Sequence, residues 1–457
     1  MRLLPLLAGL IPLVACDESS AASTTSTTSS TSSDESSTTT SSLIYLHGQT
    51  GTANPADDPT MPTGEYVSYS TTMIVSGTDT PTPEPSGNAT ASSSPSVTKL
   101  VGSSSSITPS NGTANSSTAT STSTSTSTPV VNTRPCNGWP EFCSRSYSNI
   151  TMITAHNSPF SRPDNAASNQ ALGVIAQLDD GVRMLQFQVH MVNNTLYLCH
   201  TSCNLLNVGT LESYLTEVAG WMEQHPYDVV TFLVANYNQV EATNFIAPFK
   251  NAGLLDHAYT PPKIPMGLDD WPDLSHIILS GKRAMIFMDY KANQTEVPWL
   301  MDQFSQMWET PFSPTDRSFP CTIQRPPGLK PEDADSRMYM ANHNLNVEVS
   351  FGSLHMLIPN TAYIIRTNDE DGYGSLGRMA RNCTHKWDRA PNFLLVDYYN
   401  WGKPNGSVFA VAAEMNNVSY NYNCCGLKSG ASSVIVGVHG LGVMLAIAGI
   451  HLLLSAI

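Results

Sequence analysis

Two histidines each stand at the end of a short apolar run in this sequence. His156 follows the run at residues 150–155, and His200 follows the run at residues 195–199. A histidine pair suits proton transfer because the imidazole pKa lies close to neutral pH. The carboxyl ends of parallel strands gather the chemistry of α/β folds, so two such histidines can act on one ligand. We therefore predict that His156 and His200 form an acid–base pair.

Further polar side chains accompany the histidines at predicted strand ends. Residues two apart in a strand share a face, so Gln186, Gln188 and His190 are expected to line an interior. The amides suit hydroxyl-rich ligands, and His190, Lys291 or Arg183 could supply positive charge, although Arg183 has the parity of an outward residue. Asp289 or Asp397 could orient a histidine through its carboxylate. Alternatively, these aspartates and His343 could be polar side chains that fill the barrel mouth without a functional role. The full predicted set of ligand contacts is Asn157, Gln186, Gln188, His190, Asp289, Lys291, His343 and Asp397.

Strand-like and helical patterns alternate over residues 134–425, a length typical of one β/α barrel. Apolar runs predict strands at residues 150–155, 181–203, 229–236, 284–289, 339–345 and 392–399. Helical spacing predicts helices at residues 211–222, 243–252, 375–383 and 408–416. This alternation predicts an α/β fold, a TIM-type (β/α)8 barrel that is either regular or irregular. A doubly wound parallel sheet is the alternative.

The chain before this domain has two parts of different composition. Residues 1–16 read as a secretory signal peptide, with Arg2 followed by an apolar run. Residues 17–133 are mostly Ser and Thr and are expected to form a disordered, O-glycosylated stalk, because they cannot bury enough apolar area to fold. Two apolar patches, at residues 42–48 and 66–75, interrupt the stalk, and their pattern assigns them no structure.

Cysteines and sequons agree with a secreted glycoprotein. Nine N-x-S/T sequons occur in the chain, at Asn88, Asn111, Asn115, Asn149, Asn193, Asn293, Asn382, Asn405 and Asn417. Eight cysteines follow the stalk, an even number suited to disulfides. Cys136 with Cys143 and Cys199 with Cys203 are close enough to bridge locally. The adjacent pair at residues 424 and 425 is predicted to bridge to the cysteines at 321 and 383.

The carboxyl end predicts attachment to a membrane. Residues 426–457 combine small residues, a short polar interval and an apolar tail without Lys or Arg, the pattern of a glycosylphosphatidylinositol (GPI) attachment signal. A retained transmembrane helix is the alternative. We expect a monomer at the cell surface, anchored to the plasma membrane or cell wall. The net charge of −15 argues against a nucleic-acid partner.

Four blocks of the sequence together resemble a known family. The blocks TAHNSPF around His156, DDGVRMLQFQVH, LYLCHTSC around His200, and VVTFLVAN resemble the X-type catalytic domain of phosphatidylinositol-specific phospholipase C. They are most similar to its secreted, anchored fungal branch of phospholipase-C-like phosphodiesterases, which have a TIM-type barrel. The resemblance implies that His156 removes a proton from the inositol 2-hydroxyl as it attacks phosphorus. It also implies that His200 protonates the departing alcohol.

The sequence departs from this family at the charged positions. Calcium-using relatives place acidic ligands where this chain has Gln186, Gln188 and Ala235, and Asn157 alone matches a calcium-ligand position. Neutral amides and an alanine are poor ligands for divalent metals, so we expect no metal and no cofactor. Two functions remain open. The first is a surface phosphodiesterase acting on a phosphoinositide or glycosylinositol phospholipid, and the second is a weakly active or inactive barrel that binds a glycan or phospholipid at the cell wall.

Overall fold

The computed structural model describes residues 64–67, 69, 71–75, 134–351, 354–421 and 424–425. The predicted signal peptide, the anchor signal and most of the predicted stalk lie outside these described residues. Within them, none of the helices has both the length and the apolar character needed to cross a membrane.

The described strands and helices alternate through most of the domain. The strands are β1 (Met73–Ile74), β2 (Met152–Ala155), β3 (Met184–Val192), β4 (Thr195–His200), β5 (Leu206–Thr210), β6 (Val230–Asn236), β7 (Lys263–Ile264), β8 (Ala284–Met288), β9 (Leu300–Asp302), β10 (Met307–Glu309), β11 (Met338–Asn342), β12 (Asn346–Phe351), β13 (Leu354–Pro359) and β14 (Phe393–Val396). The α-helices are α1 (Val174–Asp180), α2 (Leu211–Gln224), α3 (Ile246–Asn251), α4 (Leu274–Leu279), α5 (Gln303–Gln306), α6 (Pro331–Ala334), α7 (Ile364–Thr367), α8 (Leu376–Trp387) and α9 (Ser407–Met415). Short 3-10 helices cover Pro140–Ser144, Tyr147–Asn149, Ala242–Phe245, Leu255–His257 and Leu268–Asp270.

Eight strands form a curled parallel sheet in which neighbours follow the order of the chain. The order is β2, β3, β6, β8, β9 and then β10, β11, β14, and β14 pairs with β2. Among the described residues no ladder joins β9 to β10, so the barrel is open at this seam. The order never reverses, which confirms the (β/α)8 prediction in its irregular form and excludes the doubly wound alternative.

The barrel interior is packed largely with methionine. Inward positions on the strands carry one apolar cluster, made of Met152, Met184, Leu233, Met285, Phe287, Met301, Met307, Met338, Met340, Phe393 and Leu395. The outward positions between them pack against the helices in a second cluster. The unbranched thioether side chains of the methionines can fill an irregularly shaped interior.

Three of the four predicted helices form, and side-chain caps mark the start of two of them. α2 begins after Thr210, whose side chain accepts a hydrogen bond from the backbone N–H of Ser213, and it ends before Pro226. α8 begins after Ser375, whose side chain accepts a hydrogen bond from the backbone N–H of Arg378. The helix predicted at residues 243–252 is instead a 3-10 turn followed by the six-residue α3.

The disulfide predictions are correct for the two local bridges and wrong for the others. Cys136 pairs with Cys143, and Cys199 pairs with Cys203. Cys321 pairs with Cys383, because α8 brings their Cα atoms to 5.3 Å, well within bridging range. The adjacent cysteines at 424 and 425 consequently pair with each other.

One part of the predicted stalk is ordered against the barrel. β1 pairs antiparallel with β7, in the register Met73 to Ile264. The backbone N–H of Val75 donates to the carbonyl of Pro262 at 3.0 Å, and the Val75 side chain is buried. The described part of the apolar patch at residues 66–75 is therefore an exception to the predicted disorder, and we call the ten described residues 64–67, 69 and 71–75 the strap.

Candidate active site

His156 and Asp397 form a buried hydrogen-bonded pair at the carboxyl end of the barrel. His156 directly follows β2 and Asp397 directly follows β14, and the two strands pair in parallel. The distance from His156 Nδ1 to Asp397 Oδ1 is 2.7 Å. Because the buried carboxylate engages Nδ1, the ring is held in one orientation and Nε2 is left as the proton-accepting nitrogen.

Two buried amides from the loop between β2 and α1 hold this pair in place. Asn169 Nδ2 donates to Asp397 Oδ1 at 2.9 Å. Gln170 Nε2 donates to the backbone carbonyls of His156 at 2.8 Å and Val396 at 3.0 Å. Each bond joins the loop to the ends of β2 and β14, so the loop fixes the position of the histidine relative to its carboxylate.

Asn157 lies directly beside the proton-accepting nitrogen. Its Nδ2 donates to His156 Nε2 at 3.1 Å, and its backbone N–H donates to Gln186 Oε1 at 2.7 Å. Its backbone adopts the left-handed conformation, with φ of 47°, which asparagine tolerates better than most residues. A substrate hydroxyl that bound at Nε2 would take the place of this amide.

His200 is the last residue of β4 and is fixed by three features. The Cys199–Cys203 bridge closes the turn that follows it. His200 Nδ1 donates to the carbonyl of Ala167 at 2.5 Å, and the ring stacks on Phe160 with centroids 5.2 Å apart. The Nδ1 bond leaves Nε2 as the nitrogen available to a ligand.

Burial keeps the His200 imidazole neutral at physiological pH. Loss of solvation lowers the pKa of His200 to about 4, although its bond to Ala167 opposes the change. Charge on His156 lowers the pKa of His200 further, and the charge on Asp397 raises it. His200 differs from His156 in having a carbonyl rather than a carboxylate at Nδ1, so its protonated form has no direct counter-ion.

Gln188 and His190 complete this side of the mouth. Gln188 Oε1 accepts from the backbone N–H of Thr201 at 2.7 Å and lies 3.1 Å from His190 Nε2. His190 stacks on Tyr237 at 4.1 Å between centroids, and burial lowers the pKa of His190 to about 4. The lowered pKa disfavours the positive charge that His190 was expected to supply. We call the ends of β14, β2, β3 and β4 the histidine half of the mouth.

The residues of the histidine half do not fit a calcium ion. The side-chain oxygens of Gln186 and Gln188 already accept backbone hydrogen bonds, and Ala235 carries no donor atom. Among the described residues, a single group of three acidic, cysteine or histidine side chains is close enough to hold a metal: Asp180 with the bridged pair Cys424 and Cys425. We therefore derive no catalytic step through a metal.

The opposite side of the mouth holds a buried ionic cluster, which we call the ionic half. Arg325, in the loop after β10, donates from Nη1 to Glu309 Oε2 at 2.9 Å. Its Nη2 donates to the Tyr290 hydroxyl at 3.1 Å and lies 3.8 Å from Asp289 Oδ2. Asn342 Nδ2 also donates to Glu309, at 3.2 Å. One guanidinium thus serves two carboxylates from β10 and the end of β8.

Asp289 belongs to this cluster and does not orient a histidine. Its Oδ1 accepts the backbone N–H groups of Asn236 and Tyr290, each at 2.8 Å. Burial raises the pKa of Asp289 to about 6 even though Arg325 acts in the other direction. Of the two aspartates predicted to pair with a histidine, Asp397 does so and Asp289 does not.

Three other candidates lie away from the histidines. His343 points out of the barrel, is fully buried, lies against Phe319 and bonds to the carbonyl of Thr367 at 2.8 Å, so it does not line the mouth as the sequence indicated. Lys291 lines a cavity beside the strap. Arg183 binds Asp228 at 2.8 Å and packs over Trp221 at the outer side of the barrel, as its parity indicated.

The sequence reading missed Asn169, Gln170 and Arg325. The two amides are adjacent polar residues in a loop, and a loop pattern does not reveal which of its polar side chains are buried. Arg325 follows β10, which was not recognised as a strand, so nothing indicated that its loop returns to the mouth. The position of the two amides in the chain, between the His156 block and α1, was the signal that could have identified them.

Comparisons with known proteins find sequences similar to this domain. The profile of the PI-PLC X family (PI-PLC X 1) matches residues 142–416. An uncharacterized secreted protein of Arthroderma benhamiae is 63% identical over 302 residues, which cover 66% of this chain and 68% of that protein. A PI-PLC X domain-containing protein 1 of the same fungus is 41% identical over 277 residues, covering 60% of this chain and 88% of that protein.

Solved structures show more distant likeness. The phosphatidylinositol-specific phospholipase C of Listeria monocytogenes is 10% identical, with a TM-score of 0.40, and the match covers 61% of this chain and 96% of that one. A pentafluoro-Phe form of the Staphylococcus aureus enzyme is 14% identical, with a TM-score of 0.38, and covers 61% and 99%.

Proposed function

Because this chain belongs to the PI-PLC X family, we propose that it is a phosphoric diester hydrolase of phospholipase C type that works through His156 and His200. Its substrate would be a phosphoinositide or a glycosylinositol phospholipid. The observation that carries the proposal is the buried His156–Asp397 pair at 2.7 Å, at the same end of the barrel as His200. This is the arrangement that transfer of an alcohol proton requires.

His156 acts as the base in the first step. A hydroxyl of the polyol headgroup binds at Nε2 and loses its proton there as its oxygen attacks phosphorus. The imidazolium that forms is stabilised by the Asp397 carboxylate at Nδ1, and Asn169 holds that carboxylate in place. A freed Asn157 amide would then be available to donate to a phosphate oxygen.

His200 acts as the acid for the departing alcohol. Its Nε2 carries the proton in the reactive form, and the bond from Nδ1 to Ala167 keeps the ring aimed at the mouth. Because burial lowers the pKa of His200 to about 4, the reactive form is scarce at neutral pH.

The second candidate is a barrel that binds a glycan or phospholipid without turning it over. It is favoured by the occupied amide oxygens of Gln186 and Gln188 and by Arg325, whose charge is already balanced by Asp289 and Glu309. The two candidates share the ligand chemistry and differ in whether a phosphoester bond breaks.

The test is release of water-soluble inositol phosphate from phosphatidylinositol vesicles by the purified secreted protein. We expect His156→Ala and His200→Ala each to lower turnover about 100-fold or more. His276→Ala is the matched control, since His276 is an exposed residue of α4. A chelator should leave turnover unchanged. Binding of inositol lipid without any release would favour the second candidate, and loss of turnover with chelator that calcium restores would contradict the metal-free site.

We also propose secretion and display at the cell surface through a GPI anchor. Support comes from the name of the Arthroderma benhamiae relative, an uncharacterized secreted protein, and from the disulfides of the described domain. Five of its sequon asparagines are exposed, namely Asn149, Asn193, Asn382, Asn405 and Asn417. Release of the protein from intact cells by a bacterial inositol-phospholipid lipase would support the anchor, and resistance to release with a retained tail would contradict it.

A further inference from the structure

The strap reaches the ionic half through one aromatic side chain, Tyr66. Its ring meets the rings of Phe304 and Tyr290 edge-on, with centroids 4.8 and 5.5 Å away. Its hydroxyl lies 3.1 Å from the Tyr290 hydroxyl and accepts a hydrogen bond from Arg325 Nε at 3.3 Å. Tyr66 thus contacts the same guanidinium that joins the two carboxylates of the ionic half.

Other strap residues cover the rim beside this contact. Tyr69 is partly buried near Asp302, and both burial and the charge of that aspartate raise the pKa of the tyrosine. A cavity of about 310 Å³ separates the strap from the loop after β8, and Glu65, Tyr69 and Lys291 line it. The strap therefore lies over the end of the barrel where β8 and β9 end.

We propose that the strap is autoinhibitory and excludes the substrate headgroup from the ionic half until it is displaced. The proposal rests on the proposed function. Tyr66 presents a six-membered ring and a hydroxyl to Arg325, Tyr290 and Phe304, and a cyclic polyol would present the same two features. A headgroup bound between the two halves and the phenol of Tyr66 would compete for the same donors and the same apolar surface.

The strap is built weakly enough to move. Its sheet contact with β7 is two residues long, and Met73 and Ile74 are exposed. Val75 is the one strap residue among those described that is buried in full. An element with so few buried apolar contacts opens at a small fraction of the free energy of global unfolding. The barrel beneath retains its own core when the strap lifts, because neither apolar cluster includes a strap residue.

The first arm of the test measures turnover of the full secreted chain. At substrate concentrations below KM, Tyr66→Ala is expected to raise turnover about fivefold or more, mainly through a lower KM, because it shifts the strap toward its open form. Tyr66→Phe keeps the ring and loses the hydroxyl, so we expect a smaller rise. Thr72→Ala, at an exposed strap position, is the control and should change nothing. Unchanged or lower turnover for a folded Tyr66→Ala protein would overturn the proposal.

The second arm needs no catalysis and separates this proposal from the proposed function. Amide hydrogen exchange at Val75, whose N–H donates to Pro262, reports closure of the strap. Saturating myo-inositol 1-phosphate is expected to speed exchange at Val75, as Tyr66→Ala should without ligand. If the protein turns over no phosphodiester but the ligand opens the strap, the strap proposal stands and the enzyme proposal fails. Bound ligand that leaves exchange at Val75 unchanged would overturn the strap proposal.

Discussion

The two halves of the barrel mouth differ in how their charged and polar groups are paired. The histidine half carries one carboxylate and three histidine rings, and two of these rings, those of His156 and His200, are fixed through Nδ1. The ionic half carries a fully buried cation whose donors are taken up by Glu309, Tyr290 and Tyr66. In the histidine half, Nε2 of His156 and of His200 is thus the nitrogen that can bind a ligand. In the ionic half, the donors of Arg325 are used to hold the fold. Rigidity on one side is what allows precise positioning on the other.

The largest effect is expected from Arg325→Met, which removes the cation of the ionic half. Glu309 and Asp289 would be left buried without a counter-charge, a loss worth about 3–5 kcal/mol of unfolding free energy. Lys330→Met, at an exposed cation in the same loop, is the control and should change stability by less than about 0.5 kcal/mol. Denaturant unfolding measures both. A loss for Arg325→Met no larger than the control would show that the ionic half does not hold the fold.

The next effect concerns pH in the histidine half. If His200 is the acid, turnover should fall about tenfold for each pH unit once His156, the base, has lost its proton, because the lowered His200 pKa of about 4 leaves ever less of the protonated form. At lower pH the gain in unprotonated His156 offsets that loss. The same lowered pKa makes folding less favourable as pH falls from about 6.5 toward 4, because the unfolded chain binds the proton more readily. The rate profile is therefore measured above pH 5, with folding checked at each point. A rate that does not fall anywhere between pH 5 and 9 would remove His200 from the acid role.

A smaller effect is expected from breaking the bridge that carries His200. The bridge closes a very short loop, so Cys203→Ser should cost about 2 kcal/mol of stability. Cys136→Ser breaks a bridge of similar size and should cost about as much. Only Cys203→Ser is expected to lower turnover at a temperature where both variants are folded. Equal turnover in the two would mean that the bridge stabilises the chain without positioning the histidine.

The smallest expected effect is that of Asn169→Ala. It removes one of the two bonds at Asp397 Oδ1, so we expect kcat to fall about tenfold with KM nearly unchanged. A double-mutant cycle with Asp397→Asn gives the control, because a residue that acts through Asp397 has little further effect once that carboxylate is gone. Fully additive losses would indicate that Asn169 acts by another route.

The histidine half was largely predictable because it lies on regular strands. A long apolar run predicts β3, and the alternation of side chains along a strand places Gln186, Gln188 and His190 on its inner face. Strict use of the same parity would also have removed His343, since Met338, Met340 and Asn342 are the inward residues of β11. Asp397 and Asp289 end their strands with the same parity, so the pattern alone could not tell which one meets a histidine.

The ionic half was not predictable because its strands are too short to show a sequence pattern. β9 and β10 are three residues each and are separated by the four-residue α5. Over such lengths neither a period of two nor one of 3.6 can be recognised, so residues 300–309 yield no strand prediction. The loop that brings Arg325 to the mouth begins at β10. Without that strand, the sequence could not indicate where the loop lies. The ordered strap was hidden similarly, as ten residues in a long Ser/Thr-rich segment.

The open seam between β9 and β10 also bears on how the protein behaves at high local concentration. A closed barrel has no free sheet edge, whereas an open one exposes backbone groups that can recruit a strand from a neighbouring molecule. Here each edge strand is only three residues long, and the turn of α5 joins one edge directly to the other. Edges this short offer little template for intermolecular pairing. The seam can therefore remain open without making the barrel prone to self-association through its edges.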